Sequence, residues 1–87
     1  MKTIILNHRV NDFKEWKKHY DADAARRTNA GLKEIAVGTK TGDAHQVYMI
    51  WQSSNADGLE KMLNDPDLKT AMKKAGVVGE PEVIFLD

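Results

Sequence analysis

The chain has no cysteine among its 87 residues. Disulfides, zinc–thiolate centres and thiol nucleophiles are thereby excluded, and the fold must hold without covalent staples. Net charge is missing too, since thirteen Lys and Arg balance thirteen Asp and Glu. The protein therefore lacks the electrostatic footprint that draws chains to nucleic acid or anionic membrane, and neither is an expected partner. Long apolar runs are absent as well. The opening Met1-Lys2-Thr3-Ile4-Ile5-Leu6 turns polar at Asn7, too short a stretch for a signal peptide or a membrane span, so a cytoplasmic location is expected.

Chemical signatures are equally scarce. Gly76-Val77-Val78-Gly79 follows a predicted helix instead of opening one, and it lacks the Lys-Ser/Thr ending of a phosphate loop. His19 and Asp23 stand four apart, a spacing two metal ligands can use, with His45 as a third; no second ligand pair accompanies them. No metal site is therefore expected, and no cofactor. There is no repeat, low-complexity stretch or linker. Residues 1–87 read as one domain, of a size that buries only about 60–70% of the surface its unfolded chain exposes. Its 41% hydrophobic and 30% charged content suits a globular protein.

What is present is a sequence of short, well-punctuated elements. Lys2 to Val10 is β-branched and apolar, with Ile4, Leu6, His8 and Val10 on one face and Thr3, Ile5, Asn7 and Arg9 on the other. Asn11 or Asp12 can cap the next helix, Asp12 and Glu15 having the spacing of a capping box. Phe13, Trp16, Tyr20 and Ala24 then recur at helical steps, which predicts a helix to about Ala30, stopped by Gly31. Within it Asp23 precedes Arg27 by four residues, a stabilising exposed pair.

Leu32–Lys40 and His45–Gln52 predict a hairpin about the turn Thr41-Gly42-Asp43-Ala44. The second strand is apolar on both faces, with Val47, Met49 and Trp51 on one and Tyr48 and Ile50 on the other. A short helix carrying Leu59, Met62 and Leu63 follows, then Asp65-Pro66 opens another carrying Leu68, Met72 and Ala75. Gly76 stops it, Gly79 and Pro81 mark a loop, and Glu82–Leu86 is a last strand.

The order matches an α+β, ferredoxin-like βαββαβ fold whose second helix is split at Asp65-Pro66, with a four-stranded antiparallel sheet. Helices cover one sheet face. The other still carries apolar side chains, and an exposed patch of that size is most simply covered by a second copy, giving a homodimer with back-to-back sheets.

His8 is the strongest single candidate for chemistry. If its face of the first strand meets the helices, the imidazole lies near Trp16 or Tyr20 and can act as acid or base near neutral pH. The alternative is a histidine satisfied by a backbone carbonyl or by Asp12. Trp16 and Tyr20, one turn apart, can wall a pocket for a flat ligand or simply form core. Arg9, Arg26 and Arg27 carry forked donors suited to carboxylate or enolate oxygens, with surface solvation the expectation for Arg26.

The motifs His8-x-x-x-Asp12-x-x-x-Trp16, Tyr48-Met49-Ile50-Trp51, Asp65-Pro66-x-Leu68 and Ala75-Gly76-Val77 resemble those of the dimeric α/β-barrel superfamily. Within it, the chain is similar to the small antibiotic-biosynthesis-monooxygenase-like and polyketide-cyclase-like proteins. The resemblance implies a homodimer with a cavity between sheet and helices in each protomer, used in relatives for aromatic polyketide-type substrates, often without metal or flavin. Trp51 resembles their strand-end tryptophan, whereas Met62 stands where many of them place a histidine. The expectation is a cofactor-independent monooxygenase or cyclase, with His8 and Tyr20 catalytic and Trp16, Trp51 and Met62 contacting a small apolar or aromatic ligand. The other expectation is a non-catalytic homodimeric ligand-binding or accessory module.

Overall fold

Alternating apolar residues build the strands of one sheet, and helices cover one side of it. The structure, a computed structural model, describes residues 2–86. In chain order the elements are β1 (Lys2–Val10), α1 (Phe13–Ala22), α2 (Ala24–Asn29), β2 (Leu32–Lys40), β3 (Asp43–Ser53), α3 (Ala56–Leu63), α4 (Pro66–Lys74) and β4 (Val77–Leu86). The sheet runs β2-β3-β1-β4 with every pair antiparallel. This is the expected α+β, ferredoxin-like arrangement with its second helix split before Pro66. Among the described residues no helix is long and apolar enough to cross a membrane.

Which face of β1 meets the helices is settled by burial. Ile4, Leu6, His8 and Val10 are all buried, opposite Trp51, Met49 and Val47 of β3. Trp16 and Tyr20 from α1, and Leu59 and Met62 from α3, complete this core. Gly58 lets α3 approach α2 closely: a side chain there would put its Cβ 2.6 Å from the Ala30 carbonyl oxygen.

The helix expected to run unbroken to Ala30 breaks at Asp23, which caps α1. Side chains explain the break. The Asp23 carboxylate accepts from Arg26 at 2.9 Å, and the same guanidinium reaches Asp65 at 3.0 Å, tying the break to the start of α4. The expected pairing of Asp23 with Arg27 is not made. Arg27 instead donates to the Tyr20 carbonyl at 2.9 Å, an oxygen that an unbroken helix would have given to the backbone N–H four residues on. Arg26 is accordingly a half-buried clamp and not a solvated surface residue.

The last strand also begins earlier than expected, at Val77, because Val77 and Val78 pair with Val10 and Arg9. Gly79 and Pro81 are held inside it as an irregularity on an edge strand, where a proline's missing N–H is tolerated.

The face turned away from the helices is divided. Ile5 and Ile50 are half-buried there, Tyr48, Ile84 and Leu86 are exposed, and a polar chain crosses the sheet beside them. In it Arg9 donates to Asp43 at 3.0 Å and Gln46 at 3.3 Å, Gln46 to Asn7 at 3.0 Å, and Asn7 to Glu82 at 3.3 Å. The Arg9 guanidinium holds the Asp43 carboxyl below its usual range.

Candidate functional site

Period-two alternation in β1 and the helical spacing of Phe13, Trp16 and Tyr20 build an aromatic column between sheet and helices. His8 meets Trp16 edge-on, with ring centroids 5.4 Å apart at 82°. Trp16 stacks on Tyr20 at 4.8 Å and, more loosely, on Phe13 at 5.8 Å. Beyond Tyr20 lies the Arg27 guanidinium, 3.6 Å from the phenol ring centre, with Lys17 at 5.7 Å.

Tyr20 is fully engaged. Its hydroxyl donates to Glu34 at 2.7 Å and accepts from the Trp51 indole N–H at 3.0 Å. Burial, then the bond to the Glu34 carboxylate, pushes the phenol up to about 12, so it keeps its proton across the physiological range. Glu34 is absent from the sequence-based candidates, although a signal existed. It follows the buried Leu32 by two residues, on the same strand face, and pairs with Trp51, which sets its carboxylate beside the hydroxyl that Trp51 reaches.

His8 is the opposite case. Only 5% of it is exposed, and neither ring nitrogen has a hydrogen-bond partner. Burial pushes the imidazole down to about 4, which leaves it neutral at pH 7, with one nitrogen a donor and the other an acceptor. The expected alternative partner, Asp12, is occupied in capping α1, its carboxylate accepting from the N–H groups of Lys14 and Glu15. His8, Trp16, Tyr20 and Trp51 are thus linked through direct contacts. Met62 is buried on α3 within the same core.

His19, Asp23 and His45 form no centre. Asp23 is paired with Arg26, His45 Nδ1 lies 3.0 Å from the Val10 carbonyl, and no group of three or more ligating side chains occurs among the described residues. A separate cleft of about 420 Å³ opens by Lys2 at the start of β1, lined by Leu59, Leu63, Phe85 and Ser53. Nothing in the sequence marks it, because its lining comes from four elements, β1, β3, α3 and β4.

The two-layer α+β arrangement defines a class by its fold. It is the fold of the antibiotic-biosynthesis-monooxygenase-like proteins. The chain matches over 99% of its length, and 87% of the other, an antibiotic biosynthesis monooxygenase-like protein of Caulobacter crescentus, with 16% identity and a TM-score of 0.74. SnoaB, a cofactor-independent oxygenase from Streptomyces nogalater, is covered to 89% by 95% of this chain at 14% identity, TM-score 0.71. An uncharacterized NIPSNAP domain protein from Burkholderia xenovorans is covered to 93% by the whole chain at 17% identity, TM-score 0.71. These identities establish a shared fold and no shared activity. No curated protein matches. By its own sequence the chain belongs to the family described as a domain of unknown function (DUF3764), whose model matches residues 1–84.

Proposed function

We propose that this protein is a homodimeric, cofactor-independent enzyme of the monooxygenase or cyclase type, holding a small apolar or aromatic molecule between sheet and helices. The observation that carries this reading is His8, whose two ring nitrogens are buried without partners. Leaving such a group unsatisfied costs about 1–3 kcal/mol, so a fold that keeps it has a use for it. A ligand with an enol or phenol hydroxyl beside a carbonyl supplies both missing partners. The hydroxyl proton passes to the acceptor nitrogen, and the resulting imidazolium is stabilised by the enolate it faces in a low-dielectric interior.

Trp16, Trp51 and Met62 are the walls in this reading. Tyr20 acts by positioning, because its hydroxyl can move a proton only by surrendering a bond to Glu34 or Trp51. The second copy covers Ile5, Tyr48, Ile50 and Ile84 on the open sheet face.

The closed Tyr20 network favours a second reading, a non-catalytic ligand-binding or accessory module, since it leaves one unpartnered group where acid–base chemistry commonly uses two. Both are tested with 1-naphthol as probe. Saturable quenching of tryptophan fluorescence is expected, weakened about tenfold in His8→Phe through loss of a buried hydrogen bond. Equal binding by the variant, or none by the wild type, sinks the His8 reading. Exchange of the probe's ring hydrogens with deuterated solvent, followed by NMR, separates the two: acceleration by the protein marks proton transfer, and binding without acceleration marks a module.

A further inference from the structure

Strand β4 pairs with β1 at both ends but not in the middle. Val78 faces Arg9 and Glu82 faces Asn7, so that Gly79, Glu80 and Pro81 together span the place of one β1 residue, His8. On its other side His8 keeps a regular partner in Val47. The ladder is therefore interrupted on one flank of the very residue whose buried ring nitrogens lack partners.

Three further features weaken the same spot. Gly79 has φ +76° with open space where a side chain would project. Pro81 has no N–H to offer β1, and β4 is a sheet edge with no strand beyond it. The core also thins in this direction. The inward residues of β1 and β3 are buried, whereas Val77, Pro81 and Val83 are half-buried and Gly79 and Glu80 are exposed.

We propose that the Gly79–Pro81 bulge is the port through which a small uncharged molecule reaches the His8 imidazole. This rests on the reading of His8 as a ligand-facing group. Peeling three residues from an edge strand gives up few hydrogen bonds, whereas passage through α1 would break the Phe13–Trp16–Tyr20 stack. The acidic Glu80 within the bulge repels anions, and the apolar interior beyond penalises an ion of either sign. Uncharged molecules are what remain.

Diethyl pyrocarbonate is such a molecule and reports access without needing the natural ligand. An imidazole nitrogen attacks one of its carbonyls, the N–C bond forms as the carbonate half-ester leaves, and that fragment takes the ring proton and collapses to ethanol and carbon dioxide. Labelling of each histidine is read by peptide mass spectrometry on the intact, folded protein. His8 is expected to react at a rate that stays flat as urea is raised below the unfolding transition, because a local opening exposes little surface.

Deleting Gly79 and Glu80 places Pro81 opposite His8 in regular register. The deletion is expected to slow His8 labelling about tenfold, as removing the two extra residues brings β4 against β1 without a gap, while the exposed His19 keeps its rate. A wild-type His8 rate that climbs with urea in step with global unfolding overturns the port, and this holds even if the deletion variant fails to fold. An unchanged His8 rate in a folded deletion variant overturns it as well. Flat, bulge-dependent labelling without 1-naphthol binding would uphold the port and sink the functional reading instead.

Discussion

Tyr20 and His8 are both buried polar groups in one core, at 8% and 5% exposure, yet the two ends of the aromatic column treat them in opposite ways. Toward β2 and β3, the phenol gives its hydrogen to Glu34, receives one from Trp51 and lies under Arg27. Toward β4, the imidazole touches the edge of Trp16 and bonds to nothing. Burial therefore does not distinguish the two residues; hydrogen-bond satisfaction does. A closed network rigidifies a core, whereas an unsatisfied group weakens it, and under the proposed function the missing partner of His8 is the ligand.

Trp16 belongs to both ends, so replacing it is the most drastic way to break the contrast. Trp16→Ala is expected to lose about 3–5 kcal/mol in urea unfolding, the usual range for a buried tryptophan. Acid comes next. His8 sits at about 4 in the folded protein against 6.5 in the unfolded chain, so between those values the unfolded chain binds more protons. Its contribution is intact above pH 6.5, is lost as pH falls, and is exhausted near 4, in total about 3 kcal/mol. Measured across that window, His8→Phe should lose less stability than wild type; equal slopes would mean that His8 is not buried neutral.

Tyr20→Phe strands the Trp51 indole N–H and should cost about 1–3 kcal/mol in the same unfolding assay. The smallest effect is expected of His8→Phe at pH 7. Replacing an unpartnered polar ring by an apolar one of similar size should be neutral or stabilising by up to about 1 kcal/mol. A loss as large as that of Tyr20→Phe would erase the difference between the two ends and return His8 to the scaffold.

Which face of β1 turns inward was left open by the sequence and is decided by packing against Trp16 and Tyr20, while the fold was legible because period-two and helical spacings are strong here. Two boundaries were not. The break at Asp23 depends on Arg26 reaching Asp65, 39 residues away in sequence, and on Arg27 bending back to a backbone oxygen. No local pattern announces either. Gly79 and Pro81 are turn formers by type, and only pairing with β1 keeps them inside a strand. Of the site, the residues were visible but their states were not. That Tyr20 is engaged and His8 is not follows from Glu34 and Trp51 arriving beside one and from Asp12 being spent on a helix cap beside the other.

The strand order carries one more consequence, and it concerns time. β1 is flanked by β3 and β4, both of which follow it in the chain, and its partners in β4 lie more than sixty residues downstream. Only the β2–β3 hairpin is a local pairing. Long-range pairings close large loops before they gain contacts, which slows folding. On the ribosome, β1 must therefore wait with its apolar faces incompletely paired until β4 has been made, so the segment that presents His8 is synthesised before both strands that flank it and is among the last to be enclosed.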